Sequence, residues 1–238
     1  MKSIDETEYH SEPGGTLADA MRELVFGAED GLVSILGLVT GVAAGTTSTS
    51  IVLLAGVTGA LSGAISMAAG NYLGAKSEIE VLERRLRDEA RSIHERPDHE
   101  RKELIDYYHD HGLTDQEVDV VVPAVERNKD LLMEEMAAHE LGISPSDLKN
   151  PIWKGIWIFI AYIIVSAFPV LPYALFARET AFAVSIIGTV IALFAVGAAK
   201  TIYTGRSAIK SGLEMLAVAA LAGIAGYLAG HFAAVSGV

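Results

Sequence analysis

The sequence predicts an all-α, polytopic membrane protein with five transmembrane helices and a cytoplasmic three-helix insert between the second and third. One observation is that 51% of its 238 residues are hydrophobic and stand in long runs. Another is that residues 76–150 hold 20 of the 30 Asp and Glu residues and 11 of the 18 Lys and Arg residues. A polar block between long apolar runs differs from the mixed pattern of a single globule. It indicates membrane helices on either side of an aqueous domain.

Five apolar runs are long enough to cross the hydrocarbon layer, which needs about 20 mostly apolar residues. They lie at 26–45, 51–75, 155–177, 180–199 and 215–238. The uncharged segment TTSTS at 46–50 predicts a tight turn between the first two helices. A chain this short cannot wrap five such helices in a soluble core. The predicted domains are an N-terminal cytoplasmic tail with an amphipathic helix at 1–25, helices 1 and 2 at 26–75, the insert at 76–150 and helices 3–5 at 151–238.

The positive charges predict the orientation of the chain, because Lys and Arg favour the cytoplasmic ends of membrane helices. Of the 18 basic residues, only Arg178 falls on the side opposite the 76–150 block. We therefore expect the N-terminus and this block in the cytoplasm and the C-terminus outside. Residues 1–15 are acidic and lack the apolar stretch of a signal peptide. The short acidic tail favours the plasma membrane of a prokaryotic cell.

The start of the polar block predicts two helices. Residues 76–95 continue the second membrane helix, and Pro97 ends it, because proline removes a backbone donor and clashes with the preceding turn. Asp98 is expected to cap a second helix at about 99–111, which Gly112 closes.

A third helix of the block is predicted from a capping-box pattern. Thr114 and Glu117 have the spacing in which each side chain can bond the backbone N–H of the other residue. The helix is expected to reach about Leu141, with a kink or a split at Pro123.

Composition excludes several classes of function. The chain has no cysteine, which excludes a disulfide scaffold, thiolate metal sites and cysteine nucleophiles. A net charge of −12 argues against nucleic acid as a partner. There is no GxSxG motif, P-loop or dinucleotide fingerprint. We therefore predict no catalytic residue, no enzyme activity and no permanently bound cofactor.

Carboxylates in the polar block are spaced so that a divalent cation could draw them together. Glu100 and Glu103 are three residues apart, and Met136 and Glu140 are four apart, so each pair shares a helix face. Carboxylates with a histidine or a thioether suit divalent iron, manganese or zinc. The candidate metal ligands are Glu89, Glu100, Glu103, Met136, His139 and Glu140. The alternative is that these residues lie on a solvent-exposed helix stabilised by i,i+4 ion pairs and bind no metal.

Four residues of the first two membrane helices are candidates for a transport path: Asp30, Met67, Ser34 and Lys76. A carboxylate at the entrance of a membrane helix is costly unless it faces a partner or water. Met67 places a thioether on a stripe of glycines, which otherwise lets helices approach closely. Asp30 and Met67 facing a narrow gap could pass a borderline-soft cation such as Fe²⁺. Plain packing for Met67, and an anchoring role for Lys76, are the alternatives.

Three strings resemble the vacuolar iron transporter family: EDGL at 29–32, SGAISMAAGNYLGAKSE at 62–78 and MAAHELGI at 136–143. The resemblance covers roughly 20–237. It implies a homodimer with an ion path between the subunits, lined by the first two membrane helices and using Asp30 and Met67. It also implies that the insert collects ferrous iron with Glu89, Glu100, Glu103, Met136 and Glu140.

The resemblance implies proton-coupled export of Fe²⁺ from the cytoplasm. Mn²⁺ and Zn²⁺ are further candidate substrates. The alternatives are a manganese exporter and a membrane-anchored metal-binding or storage protein. Two positions depart from the family pattern: Ser92 stands in place of a glutamate and Ala137 in place of a methionine. The insert is therefore expected to hold fewer ions, or to use His139 or another residue as a substitute.

Overall fold

The computed structural model describes residues 17–143, 148 and 150–236, and within them it has ten helices and no strand. The helices are α1 (Leu17–Gly45), α2 (Thr49–Glu95), α3 (Pro97–Asp110), α4 (Asp115–Glu126), α5 (Lys129–His139), α6 (Ile152–Val170), α7 (Pro172–Leu175), α8 (Arg178–Ala199), α9 (Thr201–Thr204) and α10 (Ala208–Ser236). The chain divides into two compact units. The membrane unit comprises the described residues up to 73 and from 151 onward, and the insert unit comprises residues 74–150.

Five of these helices are long and apolar enough to cross a membrane, namely α1, α2, α6, α8 and α10. This confirms the predicted all-α class and the five predicted spans. The bounds differ most at three places. The amphipathic segment predicted before residue 26 is continuous with the first span in α1, and α10 begins seven residues before the predicted position 215. The span predicted at 155–177 is α6, which ends at Val170 and is followed by the short α7. Hydropathy marks the apolar part of a helix and not its polar first turns. The predicted tail at 1–16 lies outside the described residues.

Two apolar clusters form the core of the membrane unit. The first has Ile35, Val39, Ala43, Val52, Ala60, Ala64, Tyr162, Val170, Tyr173 and Ala181 as its buried members. The second has Leu32, Ala192, Leu193, Met215 and Ala219. Helices α1 and α8 contribute to both clusters, and α1 is the central helix of this unit because it packs against α6, α8 and α10. Its C-terminal end is held by Arg178, whose Nη2 donates to the Ala43 carbonyl oxygen at 2.9 Å.

The glycines of α1 make a close crossing with α10. A Cβ atom added at Gly226 would lie 2.2 Å from the Gly37 carbonyl oxygen, and one added at Gly230 would lie 1.8 Å from that of Gly41. Such distances exclude any side chain at these positions without a shift of the backbone. Small residues on both helices thus allow this close approach.

The insert unit has a small apolar core of its own, formed by Leu104, Val118, Val122, Val125 and Met136. The capping box that starts α4 is as predicted, because the Glu117 carboxylate accepts from the Thr114 backbone N–H at 2.8 Å. The prediction that Asp98 caps the second helix was wrong. Pro97 is the first residue of α3 and Arg96 is its N-cap, since proline is well suited to a position whose N–H has no partner in the helix.

The predicted third helix is two helices, and the position of the break is a correction. Pro123 lies inside α4, whereas the chain breaks at Arg127 and Asn128. The Asn128 side chain accepts from the backbone N–H groups of Asp130 and Leu131 at 3.2 and 3.3 Å. Asparagine is a strong N-cap, so a new helix starts there.

Candidate metal sites

Three carboxylates from three helical segments converge in the insert unit. Glu89 lies near the end of α2, Glu100 lies in the first turn of α3, and Glu140 directly follows α5. One oxygen atom of each lies within 4.8 Å of the other two. Glu89 and Glu100 are 6% and 3% exposed, whereas Glu140 is exposed. This is a half-open group of acidic oxygens with its closed side formed by Glu89 and Glu100.

Two oxygen atoms of this group have unsatisfied hydrogen-bonding capacity. Within the part of the chain that the structure describes, Oε1 of Glu89 and Oε2 of Glu100 are buried and have no hydrogen-bond partner. The other Glu100 oxygen accepts from the Ser92 hydroxyl, and Ser92 in turn accepts from the Arg96 guanidinium at 2.6 Å. Ser92 therefore orients Glu100. Buried carboxylate oxygens without a donor are the groups that a cation would satisfy.

The burial and close spacing of the three carboxylates raise the pKa values of Glu89 and Glu140. Burial, together with the negative charges of Glu140 and Glu100, raises the pKa of Glu89 from its ordinary 4.5 to about 7. Burial raises the pKa of Glu140 as well, and the charges of Glu103 and Glu100 add to that effect. Like charges that are held close together disfavour ionisation. A divalent cation would reverse this, because it stabilises the ionised form of every carboxylate around it.

The other predicted ligands of the insert unit lie outside this group of three. Glu103 is paired with His99, whose Nε2 lies 3.4 Å from the Glu103 carboxylate. Met136 is 2% exposed and belongs to the apolar core with Leu104 and Val118.

His139 has different neighbours from the three glutamates. Its Nε2 contacts the Glu135 carboxylate, and its ring stacks on Tyr107 with 3.7 Å between ring centroids. Tyr107 also lies 4.1 Å from the ring of His111. His139 is thus part of an aromatic stack, and the structure does not bring it together with Glu89.

Three of the predicted path residues lie in the membrane unit. Of these, Asp30 is charged, and Ser34 and Met67 are uncharged. Ser34 donates to the Asp30 carboxylate at 3.1 Å, and Asp30 is half-buried. The Tyr162 hydroxyl of α6 lies near Asp30 and Ser34. That hydroxyl also lies against α2, because a Cβ added at Gly63 would be 2.3 Å from it. Asp30 thus has polar neighbours from its own helix and from α6.

Met67 and Lys76 have different surroundings. Met67 is half-buried and packs against the apolar cluster that contains Tyr162. Lys76 belongs to the insert unit, is exposed, and lies 3.9 Å from the Glu80 carboxylate.

Comparison with known proteins gives the family. The VIT family model matches residues 21–231. Vacuolar iron transporter 1 of Arabidopsis thaliana is 33% identical over 221 residues, which are 92% of this chain and 88% of that protein. Vacuolar iron transporter 1 of Eucalyptus grandis is 33% identical over 222 residues, 92% of this chain and 89% of that protein. The vacuolar iron transporter of Plasmodium berghei is 28% identical over 231 residues, 93% and 85% of the two chains.

The chain belongs to the VIT family. Membership supports metal-ion transport, and five apolar helices are consistent with an integral membrane protein. A transporter family is also consistent with the expectation that the chain is not an enzyme.

Three polar residues of the VIT chain were not predicted as site residues. One is Tyr162, which no spacing in the sequence links to Asp30. The other two are Glu23 and Asn71, whose side chains join α1 to α2 by a hydrogen bond of 3.3 Å. Glu23 is only 5% exposed. It precedes Asp30 by seven residues, which is two helical turns on the same face, and this spacing could have revealed it.

Proposed function

We propose that this VIT-family chain is a homodimeric, proton-coupled exporter of divalent metal from the cytoplasm, with Fe²⁺ as its main substrate and Mn²⁺ as a second. The observation that carries the proposal is the convergence of Glu89, Glu100 and Glu140. Three carboxylates, two of which have an unsatisfied buried oxygen, suit a divalent cation better than any uncharged substrate. The relatives that are named vacuolar iron transporters support iron as that cation.

In this proposal the insert unit collects the ion and the membrane unit moves it. Asp30 and Met67 are the path residues, with Ser34 holding the carboxylate and Tyr162 contributing a neutral oxygen. A single carboxylate with neutral neighbours binds a divalent cation weakly enough to release it, which conduction requires. Asp30 can bind either a cation or a proton but not both at once. This competition would couple the metal flux to the proton flux. Lys76 is then a charge at the cytoplasmic end of α2.

A second copy of the chain fits the surface of α2. The most apolar parts of α2 and α10 are 22% and 17% buried, whereas that of α1 is 50% buried. Leu54, Leu61 and Ile65 are exposed on α2, and a Cβ added at Gly70 would meet nothing within 4 Å. Small residues on a free helix face suit helix–helix association in membranes. We therefore propose that α2 lines the dimer interface and the ion path.

The test is metal uptake into proteoliposomes that contain the full chain, with and without an imposed proton gradient. Wild type should take up Fe²⁺ and Mn²⁺ only when the gradient is present, and liposomes without protein should take up neither. Metal uptake that is indifferent to the gradient would overturn the coupling. Metal binding without any uptake would favour a membrane-anchored metal-binding protein instead.

A manganese exporter is the second candidate, and the position of Met136 favours it. The three converging ligands offer only oxygen atoms, and the Met136 thioether lies in the apolar core. Oxygen ligands suit Mn²⁺ as well as Fe²⁺, whereas sulfur favours softer ions. Competition between the two ions in the same uptake assay decides between the candidates. A preference for Mn²⁺ over Fe²⁺ at equal concentrations would make manganese the main substrate.

A further inference from the structure

A groove of about 520 Å³ lies between α1, α8 and α10 in the membrane unit. Leu36 and Thr40 of α1 form its floor, since both are buried. Side chains of α8 and α10 form its walls, and Val190, Ile224 and Leu228 among them are exposed. None of the described residues that line the groove is charged. The groove therefore suits an apolar occupant and opens toward the surroundings of the helices.

The length of the groove matches one leaflet of a bilayer. Its lining on α10 runs from Leu216 to Leu228, which is about 18 Å along a helix. Half of a typical hydrocarbon layer is about 15 Å thick. The lining residues of α1 and most of those of α8 lie in the halves of these helices that are nearer the turn at 46–48. In the predicted orientation this is the outer side, so the groove can take an acyl chain of the outer leaflet.

A positive charge lies at the end of the groove nearer that turn. Arg178 begins α8, one helical turn before the lining residue Phe182. Its Nη2 donates to the Ala43 carbonyl oxygen at 2.9 Å, and Ala43 follows the lining residue Thr40 by about one turn of α1. Since Arg178 lies one turn beyond the lining on both helices, its guanidinium marks the end of the groove.

Arg178 has hydrogen-bonding capacity beyond its contact with Ala43. A guanidinium has five N–H donors, and among the described residues Arg178 forms no ion pair. The N-cap of α8, Ala177, provides no side-chain hydrogen bond to the first turn, so the positive end of the helix dipole lies at the same place. Glu179 is exposed and lies about 100° around the helix from Arg178. This end of the groove therefore favours an anionic oxygen group.

Helix α10 adds a pair of aromatic rings at the same end. Tyr227 lines the groove, and His231 follows it by one helical turn. Their ring planes are within 2° of parallel, with 6.1 Å between ring centroids. Rings with an apolar body and a polar atom are typical of the membrane–water interface. The apolar groove thus ends where lipid headgroups begin.

We propose that the groove is a binding site for a phospholipid. One acyl chain fills the groove, and the phosphate group accepts charge-assisted hydrogen bonds from Arg178, which are stronger than bonds between neutral groups. The His231 ring provides a further donor. A second copy of the chain is the alternative occupant, but the proposed dimer uses α2, and no described residue of α2 lines the groove. This lipid site lies apart from the metal path and does not depend on metal transport.

The experiment measures the binding of dioleoyl phosphatidylglycerol to the purified full chain in detergent by native mass spectrometry. Wild type should bind one molecule per protomer more tightly than any further lipid. Gly223 lines the groove, and a Cβ added there would meet nothing within 4 Å, so Gly223→Leu fills the groove without a clash of the backbone. It should weaken binding of the first molecule by about tenfold or more. Gly188→Leu is the matched control, because Gly188 is equally open but does not line the groove.

Dioleoyl glycerol has the same acyl chains without the phosphate and so tests the role of Arg178. Arg178→Gln should weaken binding of phosphatidylglycerol about tenfold, the effect of losing a hydrogen bond to a charged group. It should leave binding of dioleoyl glycerol within about twofold of wild type. Lys210→Gln, at an exposed basic residue outside the groove, should bind both lipids as wild type does. Equal weakening of both lipids by Arg178→Gln would contradict the phosphate contact.

Two further results would overturn the lipid site. Equal binding by Gly223→Leu and Gly188→Leu would mean that the bound lipid lies elsewhere. Conversion of a dimer to a monomer by Gly223→Leu, with an unchanged number of bound lipids, would identify a second copy as the occupant. Thermal unfolding of each variant shows that it is folded. The lipid measurement needs no metal, so its outcome is separate from that of the uptake assay.

Discussion

The insert unit and the membrane unit arrange their carboxylates in opposite ways. The insert unit brings one oxygen atom from each of Glu89, Glu100 and Glu140 within 4.8 Å of the others, whereas Asp30 in the membrane unit accepts from the neutral Ser34 hydroxyl and has the Tyr162 hydroxyl nearby. In a unit exposed to water, a crowded carboxylate can take up a proton and so reduce the repulsion. The raised pKa of Glu89 reflects this. Within a membrane each additional charge is costly. In the proposed function, this difference lets the insert unit bind the metal with several carboxylates, while the membrane unit passes the metal with single charges.

The largest effect is expected from Asp30→Asn. Removing the one charge of the path should reduce Fe²⁺ and Mn²⁺ uptake about 100-fold, which corresponds to about 2.7 kcal/mol in the barrier. Metal binding by the insert carboxylates should stay at the wild-type level. The measurement is uptake into proteoliposomes beside equilibrium binding to the same preparation, with Glu214→Gln as the control. Uptake near the wild-type rate would show that Asp30 is not a path residue and would contradict the proposed difference between the two units.

The next effect is expected from Glu100→Gln, which removes the most buried carboxylate of the group. The affinity of the full chain for Mn²⁺ at the insert site should fall about 10–100-fold, because two ionised ligands remain instead of three. Uptake at saturating Mn²⁺ should change far less, since the path residues are intact. Isothermal titration measures the affinity, and Glu134→Gln, an exposed acid on α5, is the control. Equal affinities for the two variants would contradict a metal site at the group.

A smaller effect concerns pH and Glu89. The pKa of Glu89 is raised from 4.5 to about 7, so without metal the folded state retains this proton longer than the unfolded state. The resulting stability is fully present below pH 4.5 and is lost as pH rises through about 7. Glu89→Gln stays neutral throughout, so its melting temperature should exceed that of wild type by an amount that grows over this window to roughly 5 °C.

The measurement for Glu89 is thermal unfolding of the two metal-free proteins between pH 4.5 and 8. A difference that is constant with pH would show that Glu89 is not the titrating group. Adding Mn²⁺ should stabilise wild type increasingly as pH rises, because metal ligands must lose their protons. Glu89→Gln should gain less from Mn²⁺ at every pH.

The smallest effect is expected from Met67→Leu. Leucine keeps the packing against the cluster around Tyr162 and removes only the sulfur atom. Total uptake should fall by no more than about threefold, and the loss should be greater for Fe²⁺ than for Mn²⁺, because the thioether favours the softer ion. The ratio of the two uptake rates measures this. An unchanged ratio would mean that Met67 serves packing alone.

The sequence predicted the elements of the fold better than their junctions. The spans follow from apolar runs, and the start of α4 follows from Thr114 and Glu117, because both signals are local. The amphipathic segment before residue 26 is helical but continues into the first span, and the split expected at Pro123 lies at Arg127 and Asn128 instead. A helix ends where the capping interactions are most favourable. Asn128 caps α5, whereas Pro123, five residues earlier, lies inside α4.

The candidate site was predicted as a set of residue types and not as a geometry. Spacing put Glu100 and Glu103 on one helix face, but a face does not say which of the two meets Glu89. In the structure Glu100 faces Glu89, while Glu103 pairs with His99. His139 has Glu135 and Tyr107 as neighbours. Such choices depend on side chains from other helices, which no local pattern contains.

The sequence by itself determined that this protein is all-α, that five of its helices can span a membrane and that an acidic helical block stands between the second and third. These properties depend on hydropathy and on caps, which act over a few turns. Only the tertiary structure decided that Glu140 joins Glu89 and Glu100, that the glycines of α1 cross those of α10, and that Glu23 meets Asn71. Each of these joins residues at least 40 positions apart, or from separate helices, and packing alone selects such pairs.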